Sequence, residues 1–350
     1  MAATGRAVVA TGRRFEIREY PVPEPTPDTL VLRQELAGIC GTDIHNWQNG
    51  IQGEMLLGHE NVGVIEKLGR NVKTDYVGAP VQEGDRVILA PGAKGGAYGF
   101  QNNPDNEPRF RGGFADYIHL CLPGTCFIKT TAPPEAAVLI EPFTVGIHAA
   151  SRSGIEIGDS VVVQGSGAIG LVTLIAAKMR GAGKLIMVGG PKGRLELAKR
   201  LGADIVIDIE EVKTAEERRE IVMSHTPKRA GADVVFECAG FLPATPEGLS
   251  YVRHSGAFIE VGHFVDMGSI EFNPNQMLMR RNLRIEGIWG YRLDDFPRAL
   301  PIIEKNEIPF ADMVSHQLPL ERVLDGFKAL DGTYRLGGEM VVKIALGAGL

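Results

Sequence analysis

The 350-residue sequence predicts an α/β protein in two parts, a β-rich domain and a doubly wound parallel sheet. Three observations predict it. Up to about residue 125, short alternating stretches recur with turn residues at close intervals, the pattern of a small barrel or sandwich. From Ile157 onward, β-branched runs alternate with helical stretches, the pattern of parallel strands joined by crossover helices. Near the head of that region, Val161-Val162-Val163-Gln164 runs into a glycine-rich turn and then into an apolar helical stretch.

The elements follow in order. Residues 14–20 alternate polar and apolar, so they form a half-buried strand. Pro21, Pro23, Pro25 and Pro27 then bar both helix and central strand, and residues 30–36 resume a strand. A loop containing Trp47 follows. The second half of 57–66 is a strand in which Gly63 allows close backbone approach, and 84–89 is a turn with another strand. Residues 91–113 are rich in glycine and proline without a hydrophobic period and read as a long surface loop; 114–120 is a strand. Pro134-Glu135 suits the first turn of a helix over 133–152, with Pro142 breaking or kinking it near Glu141. Strands are expected at 185–188, 205–207, 232–238 and 256–261, with helices at 194–201 and, highly charged and solvated, at 210–224. Regularity weakens after 283–287. A helix over 294–306 and a closing strand over 340–344 remain, a tail read as returning to the first domain. The expected domains are 1–150 with 288–350, and 151–287.

Composition bounds the function. Hydrophobic residues make up 44% and charged residues 23%, ordinary for a globular protein, and a net charge of −6 gives no footprint for nucleic acid or anionic membrane. No apolar run is long enough to span a bilayer, and the N-terminus lacks the order of a signal peptide. Four cysteines make no disulfide framework, so a reducing, cytoplasmic setting is expected.

Gly165, Gly167 and Gly170 fit G-x-G-x-x-G between strand and helix, the context in which that motif binds a dinucleotide. Gly165 permits the tight turn, Gly167 lets a pyrophosphate reach the backbone, and Gly170 lets helix and strand pack closely. Ser166, Ala168 and Ile169 contribute turn and helix-start N–H groups.

A second constellation is Cys40, His59, Glu60 and Glu141, a sulfur, nitrogen and oxygen set of the kind zinc accepts, with three ligands sufficient for a catalytic ion. The residues are scattered, and plainer readings stand beside this one. A lone cysteine after a strand is often a small buried hydrophobe, a His-Glu pair is often surface, and Glu141 before a proline is a helix-end charge.

The segments Gly38-Ile39-Cys40-Gly41-Thr42-Asp43-Ile44-His45, Gly58-His59-Glu60-Asn61-Val62-Gly63, Gly84-Asp85-Arg86-Val87 and Glu141-Pro142, followed by the glycine turn, resemble in order the zinc-dependent medium-chain dehydrogenase/reductase family. That resemblance covers nearly the whole chain. It implies a GroES-like β-rich catalytic domain with a Rossmann domain inserted. It implies hydride transfer between an NAD(P) cofactor and a secondary alcohol, polyol, ketone or aldehyde, with the Glu-containing ligand set pointing to the polyol and sugar branch. Cys40 and His59 are implied zinc ligands, with Glu60 or Glu141 third and the two glutamates exchanging during turnover. Asp43 is implied to fix a ligand histidine, Thr42 to take the substrate hydroxyl proton, and His45 to pass it outward. A homodimer or homotetramer is also implied. A zinc-free quinone or enone reductase, or a nucleotide-binding relative without turnover, are the alternatives.

The sequence departs from the family in three places. The 91–113 loop carries no cysteine, so the second, structural zinc of many members is not expected; Cys121, Cys126 and Cys238 read as packing residues. The segment between Cys40 and His59 is short, which points to an unusual substrate pocket. The acid expected about 20 residues beyond the glycine turn is replaced by Gly189-Gly190, with Lys192 and Arg194 following, so NADP is slightly favoured over NAD, with dual use and a merely helix-capping or packing Arg194 as the alternatives. Cys238, Ala239, Val261 and Gly262, at the ends of later strands, complete the expected cofactor set. Trp47, Tyr98, Phe100, Phe110 and Trp289 either line an apolar pocket or pack.

Overall fold

The computed structural model describes residues 3–347. The chain forms two compact units, one from Met1–Glu141 with Phe296–Leu350, the other from Pro142–Asp295.

The first unit opens with β1 (Thr4–Gly12), β2 (Arg14–Pro21) and β3 (Leu30–Gly38), then α1 (Gly41–Asn49), β4 (Ile51–Leu57), β5 (Glu60–Leu68) and β6 (Arg86–Leu89). Short strands β7 (Gly92–Ala93), β8 (Gly96–Ala97) and β9 (Phe100–Asn102) precede β10 (Tyr117–Leu120), β11 (Phe127–Lys129) and α2 (Pro134–Ala137). One sheet has the order β2-β1-β4-β9. The other runs β11-β6-β5-β3 and continues into strands from the chain's last fifty residues, with β10 also on β3. Between them lies a core of Val8, Ala37, Ile44, Trp47, Leu57, Phe114 and Phe327. Burial of such side chains, worth about 1.5–3 kcal/mol each, holds the sheets together.

Three expectations in this unit are corrected. The Trp47 segment is not a loop but α1, whose inner face is Asp43, Ile44 and Trp47. The 91–113 segment is not a bare surface loop. β7 pairs β8, β9 pairs β4, and Tyr98 and Phe110 are only 0% and 1% exposed. Large aromatics placed without a period anchor it, and Tyr98 Oη also meets Thr125 Oγ1 at 2.7 Å. Finally, Pro142 does not break a helix at Glu141. α2 ends first, and α3 (Ile140–Ser153) begins so that Pro142 falls in its first turn, where a missing N–H costs nothing.

The second unit continues with β12 (Ser160–Gln164), α4 (Ala168–Arg180), β13 (Lys184–Gly189), α5 (Lys192–Leu201), β14 (Ile205–Asp208) and α6 (Ala215–Ser224). Then come β15 (Ala232–Glu237), α7 (Ala244–Tyr251), β16 (Val252–Glu260), α8 (Pro274–Met277) and β17 (Arg284–Gly287). The charged helix starts five residues later than expected, because Thr214 caps it and accepts from Glu217 N. Its sheet has the order β14-β13-β12-β15-β16-β17 with every neighbour parallel. Numbered from β12 this is 3-2-1-4-5-6, the doubly wound Rossmann order with its switch point between β12 and β15.

The chain then completes the first unit with α9 (Phe296–Glu304), β18 (Val314–Pro319), α10 (Val323–Lys328), the small hairpin β19 (Arg335–Leu336) and β20 (Glu339–Met340), and β21 (Lys343–Gly347). β21 pairs antiparallel with β3 and parallel with β18, so the closing strand sits beside the strand that leads to Cys40.

Candidate metal centre and nucleotide turn

β3 delivers the chain to Cys40, which caps the N-terminus of α1. Asp43, one turn in, has two tasks. Its Oδ2 accepts from Cys40 N at 3.0 Å, and its Oδ1 stands 3.6 Å from His59 Nδ1. Those two facing atoms are buried and have no hydrogen-bond partner. His59, just before β5, is also held flat against Phe100, with ring centroids 5.0 Å apart and planes 20° from parallel. Glu60 starts β5.

One ligand atom each from Cys40, His59 and Glu60 lies within 4.8 Å of the others. Glu141 is buried nearby but is not part of that close group. Burial pushes its carboxyl up to about 7, with Glu60 adding to the shift and His59 opposing it. Burial by itself would lower His59, but the charges of Asp43 and Cys40 outweigh it and hold the imidazole well above the usual range. The group thus collects protons to offset its anions. A divalent cation would replace those protons, and the sulfur, nitrogen and oxygen donors fit zinc.

Sequence reasoning missed Lys343. It is 3% exposed and pairs its ammonium with Glu60. Burial would lower it, yet Glu60 and the neighbouring anions raise it, so it stays charged. The available signal was a single lysine inside the apolar run Val341-Val342-Lys343-Ile344. Thr42 lies on α1 with Oγ1 3.7 Å from Cys40 Sγ, and His45 is one turn further, both half-buried.

In the second unit, Gly165 has φ +93°, and a Cβ there would stand 2.7 Å from Ala239 N. The turn therefore abuts Cys238-Ala239 at the switch point. A Cβ on Gly170 would strike the carbonyl of Gly165, whereas one on Gly167 would meet nothing nearer than Arg194 Nη1 at 4.0 Å. Gly167 caps α4 without any side-chain cap, so Ala168, Ile169 and Gly170 start the helix with N–H groups facing outward. Ser166 Oγ accepts from Gly190 N at 3.0 Å and donates to Gly190 O at 2.8 Å, tying the turn to the end of β13. Gly189 ends that strand without a carboxylate. Lys192 is exposed at the start of α5, and Arg194 is buried. Val261 and Gly262 follow β16, and both donate their N–H to Glu237 O at 2.9 Å. Of the five aromatics, Trp47, Tyr98 and Phe110 are core, Phe100 stacks on His59, and Trp289 is 80% exposed.

Two family descriptions match, an alcohol dehydrogenase GroES-like domain over residues 26–131 and a zinc-binding dehydrogenase over 168–305. Sorbitol dehydrogenase of Bos taurus is 31% identical over 339 residues, covering 90% of this chain and 89% of its own. The 5-exo-hydroxycamphor dehydrogenase of Pseudomonas putida is 33% identical over 348 residues, covering 93% and 94%. An alcohol dehydrogenase structure from Thermotoga maritima shares the fold at a TM-score of 0.89, with 23% identity over 99% of this chain and 100% of its own.

Proposed function

The chain belongs to the zinc-dependent medium-chain dehydrogenase/reductase family, and from that premise we propose that it is a zinc- and NAD(P)-dependent alcohol or polyol dehydrogenase. It moves a hydride between the nicotinamide and a secondary alcohol or polyol, or the matching ketone or aldehyde. The observation that carries this reading is the convergence of Cys40, His59 and Glu60 at the foot of the helix bearing Thr42 and His45.

Cys40 and His59 would hold the zinc, with His59 Nδ1 turned toward Asp43. Glu60 or Glu141 would be the third ligand, and Lys343 gives Glu60 a partner of its own. Bound there, zinc supplies a Lewis acid that lowers the pKa of the substrate hydroxyl. Thr42 takes the hydroxyl proton, and His45 passes it outward along α1. In the second unit the Gly165–Gly170 turn cradles the pyrophosphate, with Arg194 beneath it. That leaves Lys192 as the cation for a 2′-phosphate, so NADP is favoured over NAD. The protein is a cytoplasmic homodimer or homotetramer. The exposed edge strand β17, with Ile285 and the following Trp289 open to solvent, supports self-association. No described helix is long and apolar enough to cross a membrane.

The test is Cys40→Ala. Activity with an alcohol panel disappears while NAD(P) still binds, as measured by quenching of protein fluorescence. Undiminished turnover in that variant would refute the reading.

A further inference from the structure

Two adjacent strands of the second unit end in matched acids. β15 pairs in parallel with β16 so that Glu237 stands beside Glu260, each the last residue of its strand. Glu237 is 0% exposed. A carboxyl so deeply buried costs stability unless it is well bonded, and the bonds of this one run into two separate segments of chain.

The first segment is Cys238-Ala239-Gly240. Glu237 Oε1 accepts from Ala239 N at 2.7 Å and from Gly240 N at 3.0 Å. The second is Val261-Gly262-His263. Val261 N and Gly262 N both donate to Glu237 O at 2.9 Å, and Glu237 Oε2 lies 3.3 Å from His263 Nδ1. Glu260 braces the same segment from its own strand. Its Oε1 accepts from Gly262 N at 3.1 Å and from His263 N at 3.3 Å. The two segments also touch each other. A Cβ on Gly240 would stand 2.5 Å from Gly262 O, and one on Gly262 would stand 2.4 Å from both Gly240 N and Glu237 Oε2. The seam between them is closed to side chains, and the Glu237 carboxyl lies against it.

The strand order says which part of a dinucleotide these segments would meet. β12, β13 and β14 form one mononucleotide half, and β15, β16 and β17 form the other. The ribose position at Gly189, the end of β13, gives the adenosine to the first half and leaves the nicotinamide to the second. The glycine turn of the first half has ties of its own. Gly165 N donates to Val188 O at 2.8 Å, and Gly190 N donates to Ser166 Oγ at 3.0 Å. Neither tie passes through Glu237.

We propose that Glu237 is a positioning residue for the nicotinamide half of the cofactor. Its carboxyl holds Ala239-Gly240 and, with Glu260 and His263, Val261-Gly262 in the arrangement that receives the nicotinamide and its ribose. The proposal rests on the NAD(P) reading above.

The experiment is calorimetric titration of wild type, Glu237→Ala and Glu237→Gln with NADPH and with 2′-phospho-ADP-ribose, the same molecule without its nicotinamide. NADH and ADP-ribose make the parallel pair. Burial, reinforced by Glu260, pushes the Glu237 carboxyl up to about 8, so at neutral pH it keeps its proton and Gln supplies the same acceptor and a donor. Glu237→Ala should weaken NADPH by about tenfold, the order expected for a lost buried hydrogen-bond anchor, while the fragment binds unchanged. Glu237→Gln should recover most of the loss. Equal losses for cofactor and fragment, no loss for either, or no recovery by Gln would each overturn the role. Glu260→Leu, at a partly exposed position, repeats the split from the side of Val261-Gly262 and decides the matter if Glu237→Ala does not fold. If wild type binds neither cofactor nor fragment, the NAD(P) reading fails and this one with it. Binding of both by wild type with no split in the variants overturns the positioning role alone.

Discussion

Asp43 accepts from the backbone of Cys40 and faces the ring of His59, so one side chain bears on both residues proposed to hold zinc. Asp43→Asn keeps the bond to Cys40 N but removes the charge facing Nδ1. Loss of such a support costs about 10–100-fold in metal affinity, which competition with a zinc chelator would read directly. Lys343 makes the complementary case. With the ammonium gone, Glu60 is a buried anion without a partner, a loss of about 3–5 kcal/mol. Lys343→Met should therefore lower the stability of the metal-stripped protein by that order in a denaturant titration. Zinc should restore more stability to this variant than to wild type, because the ion gives Glu60 a new partner. Equal stabilisation by zinc in both proteins would mean that Glu60 is not a ligand. The clustering of Cys40, His59 and Glu60 was legible in the sequence because their chemistry is rare and their order is familial. Lys343 was not, since its role depends on β21 returning to lie beside β3, which sets Lys343 against Glu60 from 283 residues away.

At the level of elements, the glycine turn and the ends of β15 and β16 depend on each other. Gly165 needs a left-handed backbone and leaves no room for a Cβ against Ala239 N. Gly165→Ala should cost about 1–3 kcal/mol in thermal unfolding and abolish cofactor binding, whereas Gly12→Ala, positive in φ but open around its Cα, should leave binding intact. At the ends of β15 and β16, Glu237, Glu260 and His263 meet. His263 Nδ1 lies 3.3 Å from Glu237 Oε2 and 3.1 Å from Glu260 Oε1. Burial, reinforced by Glu260, pushes the Glu237 carboxyl from 4.5 to about 8, against the opposing N–H groups of Ala239 and Gly240. Between those two values the unfolded chain has released this proton while the folded chain keeps it. The contribution is therefore fully present below about pH 4.5 and is lost as pH rises through about 8. Glu237→Gln, which accepts from the same N–H groups and donates toward Glu260, should flatten the fall in melting temperature between pH 5 and 8. A slope identical to wild type would remove Glu237 as its cause. Strand and helix alternation made this sheet readable in sequence. α1 was not, because its helix propensity is poor and its inner face is fixed only by tertiary contacts such as Trp47 with Arg13 O.

At the scale of the whole molecule, the fold class was legible because two periods, strand-like and then strand–helix, divide the chain. The 91–113 segment was misread because its order comes from buried Tyr98 and Phe110, which follow no period. That segment also bears on the metal count. It carries no cysteine, and the only described groups of three or more close metal-type side chains are Cys40-His59-Glu60 and Glu237-Glu260-His263. The two differ in what already satisfies them. Glu237 Oε1 accepts from Ala239 N at 2.7 Å and Gly240 N at 3.0 Å, and Glu260 Oε1 accepts from Gly262 N at 3.1 Å. A cation there would compete with fixed backbone donors, whereas the Glu60 carboxylate of the first group is held by the Lys343 side chain and, among the described residues, not by backbone N–H groups. Elemental analysis of the purified protein should therefore give about one zinc per chain, and about none in Cys40→Ala. Two in the wild type and one in the variant would place the extra ion with Glu237, and Glu260→Gln should then remove it. Zinc near zero in the wild type, with enone reduction retained, would instead make Cys40 and His59 structural and move the chain to the zinc-free reductase branch.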